Sequence, residues 1–143
     1  MILPDVNVLV NAYRRDAADH ALCHAWLSGV VAGSSRFAMS PQVLASVMRV
    51  ATHPKVFAQP SSAAEVSRFC NVLLDQPHCH VVTPGERHWS IFQRLVSAAR
   101  ARGNLISDAW FAALAIESGT EWITLDRDYA KFPGLRWRRP GDA

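Results

Sequence analysis

Four aspartates stand where carboxylate chemistry could be done. Asp5 closes the short apolar run Met1-Ile2-Leu3-Pro4, Asp108 sits near the start of a late apolar helix pattern, and Asp126 and Asp128 follow the β-rich stretch Glu121-Trp122-Ile123-Thr124-Leu125. Each position alone has an ordinary explanation, because aspartate caps helices and builds turns by accepting nearby backbone N–H bonds. Together they imply more. Carboxylates gathered in one cleft repel each other and call for a compensating cation. Hard oxygen donors favour Mg²⁺ or Mn²⁺, which bind through a few carboxylates and keep several waters. A cation held there activates water for attack on phosphorus and stabilises the charge that develops, so an acidic pocket can act on a polyanion.

The elements must bring these residues together. Asn7 is positioned to cap a helix beginning at Val8, and a second helix is expected over about 18–31. Residues 36–39 read as a strand, and Ser40-Pro41 is a cap followed by proline at the first helical position, ahead of Val43, Leu44, Val47, Met48 and Ala51 at helical spacing. Ser62 with Glu65 forms a capping box, Cys79 to Val82 a buried strand, and Thr83, Pro84 and Glu86 another capping-box start. A helix over about 107–118, closed by Gly119, puts Asp108 in its first turn, where the helix dipole favours an anion. Strands over 121–125 and 135–137 complete the chain. Short strands alternating with longer helices imply an α/β fold with a mainly parallel sheet and helices on both faces. Sites in such folds form at the carboxyl ends of strands. If the strands before Asp5 and Asp126 are neighbours, both carboxylates reach one crevice.

The bulk properties agree. The chain has 143 residues, half of them hydrophobic and 19% charged, which fits one globular domain over 1–143 and excludes a disordered composition. No apolar run approaches the roughly 20 residues that span a bilayer, and the start lacks a basic region before a long apolar stretch. Cytoplasmic residence and no membrane partner are therefore expected. The three cysteines lack scaffold spacing and read as free thiols in a reducing compartment. A net charge of +3 is compatible with a polyanionic partner.

Four blocks carry a resemblance: "MILPDVNVLVNA", "RVATHPKVF", "GNLISDAWFAALAIESG" and "WITLDRDYAKFPGLRW", which span almost the whole chain in order. They resemble the PIN-domain ribonucleases, and closely the VapC-type toxins of bacterial toxin–antitoxin pairs. The resemblance implies a PIN-like three-layer α/β/α sandwich and a metal-dependent endoribonuclease that cleaves RNA, transfer or ribosomal, by metal-activated water. It implies Asp5, Asp108, Asp126 and Asp128 as catalytic acids, with Asp5, Asp108 and Asp126 on Mg²⁺ or, in its place, Mn²⁺. Implied partners are a VapB-like antitoxin, a second copy in a homodimer, and operator DNA through the antitoxin alone. One departure stands out: many members carry a glutamate on the third helix where this chain has Ser46, and no Asp or Glu occurs between Asp19 and Glu65. The loss predicts a less negative pocket, with one tight metal at Asp5 and Asp108 and a Ser46 hydroxyl able to hold a water.

His20, Cys23 and His24, or His78-Cys79-His80, lack a partner motif at zinc spacing. Arg127, Lys131, Arg136, Arg138 and Arg139, and Arg87, Arg94, Arg100 and Arg102 before Asp108, are either a solvated surface or a phosphate-binding rim. Trp89, Trp110 and Trp122 read as core or interface, Trp26 as a helix face able to meet an antitoxin. Thr124 can orient a water or phosphate. The competing readings are a degenerate RNA- or antitoxin-binding module, favoured by Ser46, and aspartyl phosphotransfer, which lacks a suitable lysine.

Overall fold

The computed structural model describes residues 1–142. Five parallel strands form its sheet: β1 (Ile2–Pro4), β2 (Phe37–Met39), β3 (Cys79–Val81), β4 (Glu121–Ile123) and β5 (Trp137–Arg138). Their order, β3-β2-β1-β4-β5, makes β1 the centre. The chain lays strands outward on one side of β1 and then returns to its other side, so a topological switch point falls between β1 and β4. The strands are short, apolar and nearly fully buried at Leu3, Phe37, Trp122 and Ile123, as a sheet covered on both faces requires.

Helices α1 (Val6–Tyr13), α2 (His20–Ala32), α3 (Pro41–Ala51) and α4 (Ala63–Leu74) connect the first three strands, and α5 (His88–Ala99) and α6 (Asn104–Ser118) lead to β4. Helix α1 packs on α2 and α3, α3 packs on α4, and α5 pairs with α6, giving the three-layer α/β/α sandwich. Two caps read from the sequence are present: Ser40 accepts from Val43 N–H ahead of Pro41, and Ser62 and Glu65 satisfy each other's backbone N–H groups. Gly119 closes α6 at φ 68°, the left-handed conformation that glycine adopts without steric cost. No helix among the described residues is long and apolar enough to cross a membrane.

Several elements differ from expectation. Helix α1 starts at Val6 and is capped by Asp5, not Asn7, because the Asp5 carboxylate reaches the Val6 N–H first. Helix α5 starts at His88 rather than near Thr83, since the Glu117 carboxylate from α6 takes the Gly85 and Arg87 N–H groups at 2.6 and 2.9 Å. A distant residue thus ties down the segment that leads into α5. Helix α6 starts at Asn104, after Gly103 makes the sharp turn at φ 61°, and Asp108 lies in its second turn instead of its first. The strand β3 is an edge, with His80 and Val81 exposed, not a buried strand. Strand β5 lies at Trp137–Arg138. Of the tryptophans expected in the core or at an interface, Trp122 is fully buried in the core, whereas Trp89 is 59% exposed and lies outside it. All three cysteines are free, Cys23 and Cys70 buried and Cys79 partly so.

Candidate active site

The strands β1 and β4 pair in register from Ile2↔Glu121 to Pro4↔Ile123, so the residues that follow them emerge side by side. Asp5 N–H still bonds Ile123 C=O at 2.8 Å, which extends the pairing to the carboxylate itself. Asp5 is only 5% exposed. Its Oδ1 accepts from Val6 N–H and its Oδ2 from the Thr124 hydroxyl, both at 2.6 Å. Thr124, fully buried, in turn accepts from Asp126 N–H at 3.0 Å and from the Asn7 side-chain amide at 3.4 Å, while Asn7 Oδ1 accepts from Leu125 N–H at 3.2 Å. Asn7 is therefore a latch between the first turn of α1 and the segment after β4. One hydroxyl ties Asp5 to the Asp126 segment that follows β4.

Asp126 Oδ1 accepts from Asp128 N–H at 2.9 Å and so caps a 3₁₀ turn, Arg127–Lys131. That turn points the buried Tyr129 back beneath α6, where its hydroxyl donates to Asp108 Oδ1 at 3.2 Å. Asp5, Asp108, Asp126 and Tyr129 line one cleft of about 1210 Å³. Asp128 does not line it; it is exposed and faces Lys131 at 3.7 Å.

The electrostatics follow from this arrangement. Burial raises the Asp5 carboxyl to about 7 against the opposing hydrogen bonds from Thr124 and Val6, and the charges of Asp108 and Asp126 push it further. Asp108 is raised too, first by burial, with Tyr129 opposing and the charges of Asp126 and Asp128 adding. A carboxylate cluster that resists its own ionisation is one that a cation relieves. The donors are all carboxylate oxygens, and Asp108 and Asp126 each commit Oδ1 alone to a protein hydrogen bond. They fit a hard divalent ion. Among the described residues no three His, Cys, Asp or Glu side chains converge into a closed metal cage, so Asp5, Asp108 and Asp126 share the cleft without forming a three-ligand cluster.

Ser46 lines the cleft from α3, partly buried, at the position where the family resemblance implies a glutamate. The basic residues near the C-terminus do not line it. Arg136 donates to Gly119 C=O, Arg138 to Glu121 and Asp142 C=O, and Arg139 to Leu125 C=O, which are structural roles. Sequence reasoning missed Tyr129, Asn7 as a latch, and Arg49, which lines the cleft from α3. The signal for Tyr129 was its three-residue spacing from Asp126 in a turn; Asn7 and Arg49 gave none outside their helices.

The PIN domain profile matches residues 2–135. The ribonuclease VapC43 of Mycobacterium tuberculosis is 39% identical over 99% of this chain and 97% of its own length. Among solved structures, VapBC2 from Rickettsia felis, bound to a DNA fragment from its promoter, superposes with a TM-score of 0.70 at 15% identity, covering 97% of this chain and 98% of that one. VapC20 of Mycobacterium tuberculosis, a toxin that cleaves the sarcin–ricin loop, gives 0.64 at 15% identity over 95% and 99% of the two chains.

Proposed function

Since this chain belongs to the PIN-domain family, among its VapC-type ribonucleases, we propose that it is a toxin of a VapBC-type pair whose RNA cleavage depends on Mg²⁺, with Mn²⁺ able to replace it. The observation that carries the reading is the buried Asp5 carboxylate at the switch point, sharing one cleft with Asp108 and Asp126. Asp5 and Asp108 would hold the ion, with Asp126 beside them. When bound, it supplies Lewis acidity toward the phosphate and an acidified water. The remaining work belongs to the protein. Thr124 and the Val6 N–H fix both oxygens of Asp5 and favour its ionised form, Tyr129 does the same for one oxygen of Asp108, and Asp126 stays anchored to the turn it caps. Ser46 offers a hydroxyl to a water or a phosphate oxygen.

The substrate is RNA, with ribosomal or transfer RNA as the class, and the VapC20 neighbour supports the ribosomal choice. A VapB-like antitoxin is the protein partner and carries the contact to operator DNA, a reading that the promoter-bound VapBC2 neighbour supports; a second copy of the chain completes a homodimer, as the family resemblance implies. Incubation with pooled transfer and ribosomal RNA in Mg²⁺, Mn²⁺ or EDTA tests the reading, discrete cuts only with metal being the expected result. A second reading, RNA or antitoxin binding without turnover over the same single domain, is favoured by Ser46. Intact RNA in every lane together with retained RNA binding would select it.

A further inference from the structure

Helix α3 presents to the cleft a row of side chains that the carboxylates do not use. Gln42, Ser46 and Arg49 all line it, at spacings of four and three residues that define one helix face. The row contains no acid, and α3 lies in the stretch between Asp19 and Glu65 that has none. The other charged side chains on the cleft are Asp5, Asp16, Asp108 and Asp126. Asp16 is already neutralised by Arg14, whose Nε and Nη2 reach its two oxygens at 2.9 and 2.7 Å. Arg49 is the one cationic side chain lining the cleft among the described residues, and it is exposed with no carboxylate paired to it. Gln42 Oε1 accepts the Trp110 indole N–H, which leaves its amide hydrogens free to donate.

A polyanion entering this cleft meets three unpaired carboxylates, and one divalent ion offsets only two of those charges. The phosphate next to the one at the carboxylates therefore needs a cation from another wall. A glutamate at position 46 would stand three residues before Arg49, the spacing at which opposite charges pair on a helix, and would compete for the guanidinium. Serine leaves it available.

We infer that Gln42, Ser46 and Arg49 form a backbone track for single-stranded RNA, with Arg49 on a phosphate flanking the one that reaches the carboxylates. The absent glutamate is then an exchange of a metal ligand for a phosphate contact. A single strand is specified because only an unpaired backbone can bend into a recess whose floor, Asp5, is 5% exposed. The inference rests on the ribonuclease reading of the same cleft.

The test uses the full chain and a fluorescein-labelled single-stranded RNA of mixed sequence, with anisotropy titrations in EDTA across a salt series. Arg49→Gln is expected to weaken binding about three- to ten-fold at low salt and to flatten the slope of log affinity against log salt by about 0.7, the loss of one phosphate contact on a single strand. Arg49→Lys keeps the slope. Ser46→Glu weakens RNA binding as Arg49→Gln does but tightens Mn²⁺ binding measured by calorimetry without RNA. The comparison variant is Arg68→Gln, an exposed arginine on α4 outside the cleft, which leaves the slope unchanged. Equal slopes for wild type and Arg49→Gln, or an equal loss in Arg68→Gln, overturns the inference. Cleavage in Mg²⁺ is scored in parallel. Cutting with an Arg49-independent slope overturns the track alone, whereas an Arg49-dependent slope without cutting supports the track and sinks the nuclease.

Discussion

Replacing Asp5 by asparagine should abolish cleavage and yet stabilise the metal-free protein at neutral pH. The folded carboxyl titrates at about 7 rather than its ordinary 3.8. Between those values the folded state binds more protons than the unfolded chain, so stability falls as pH rises from about 4 to about 7 and is flat beyond. At about 1.4 kcal/mol per pH unit the ceiling on the cost at pH 8 is about 4 kcal/mol. Asparagine removes the charge and keeps an acceptor for Val6 N–H, but it loses the bond from Thr124, a cost of about 1 kcal/mol. A net gain of about 2–3 kcal/mol remains, which for a chain of this size is roughly 6–9 °C in melting temperature. Thermal melts of wild type and Asp5→Asn in EDTA from acid to pH 8 provide the assay. The wild-type melting temperature should fall further across the series than the variant's, which keeps only the smaller contribution of the raised Asp108, the two crossing on the acid side. Excess Mg²⁺ at pH 8 should raise the wild type only, since an ion that binds the folded state stabilises it by mass action. A variant less stable than wild type at pH 8 in EDTA would refute the claim that the site resists its own charge.

Other variants probe the supports. Thr124→Val keeps the shape but strands the Asp126 N–H and removes a donor from Asp5, and calorimetric unfolding should show a loss of about 1–3 kcal/mol. Tyr129→Phe removes only the hydroxyl on Asp108; Mn²⁺ affinity by calorimetry should fall several-fold, about 1 kcal/mol, while its packing on Trp122 and Phe132 preserves the melting temperature. Glu117→Ala frees the Gly85 and Arg87 N–H groups and should cost about 1–2 kcal/mol in denaturant unfolding, without changing metal affinity.

The architecture and the three cleft aspartates were legible because they rest on local signals. Ser40-Pro41, Ser62 with Glu65, and Gly119 each mark a helix end by short-range hydrogen bonds or backbone freedom, and the alternation of short apolar runs with helices dictates a parallel sheet. What remained hidden depends on partners far along the chain. Glu117 sets the start of α5 from 30 residues away, so the local capping-box pattern at Thr83 misled. The Thr124 hydroxyl donates to Asp5, 119 residues distant, a partner that its place after β4 does not reveal. Arg136, Arg138 and Arg139 read in the sequence as either a solvated surface or a phosphate rim, and only the fold shows that backbone carbonyls and Glu121 engage them. Arg49, an isolated arginine in the sequence, gains meaning only when α3 turns it and Ser46 into the same cleft.

The most direct test maps the ends of RNA cut by wild type and by Asp108→Asn, prepared identically, in Mg²⁺ and in EDTA. Water attacking at a metal centre cannot leave a 2′,3′-cyclic phosphate, whereas contaminating ribonucleases that use the neighbouring 2′-hydroxyl do. Wild type should give discrete cuts with linear ends in Mg²⁺ only, and Asp108→Asn should give none. Cyclic ends, cutting in EDTA, or equal cutting by both proteins would contradict a carboxylate-held cation as the catalyst.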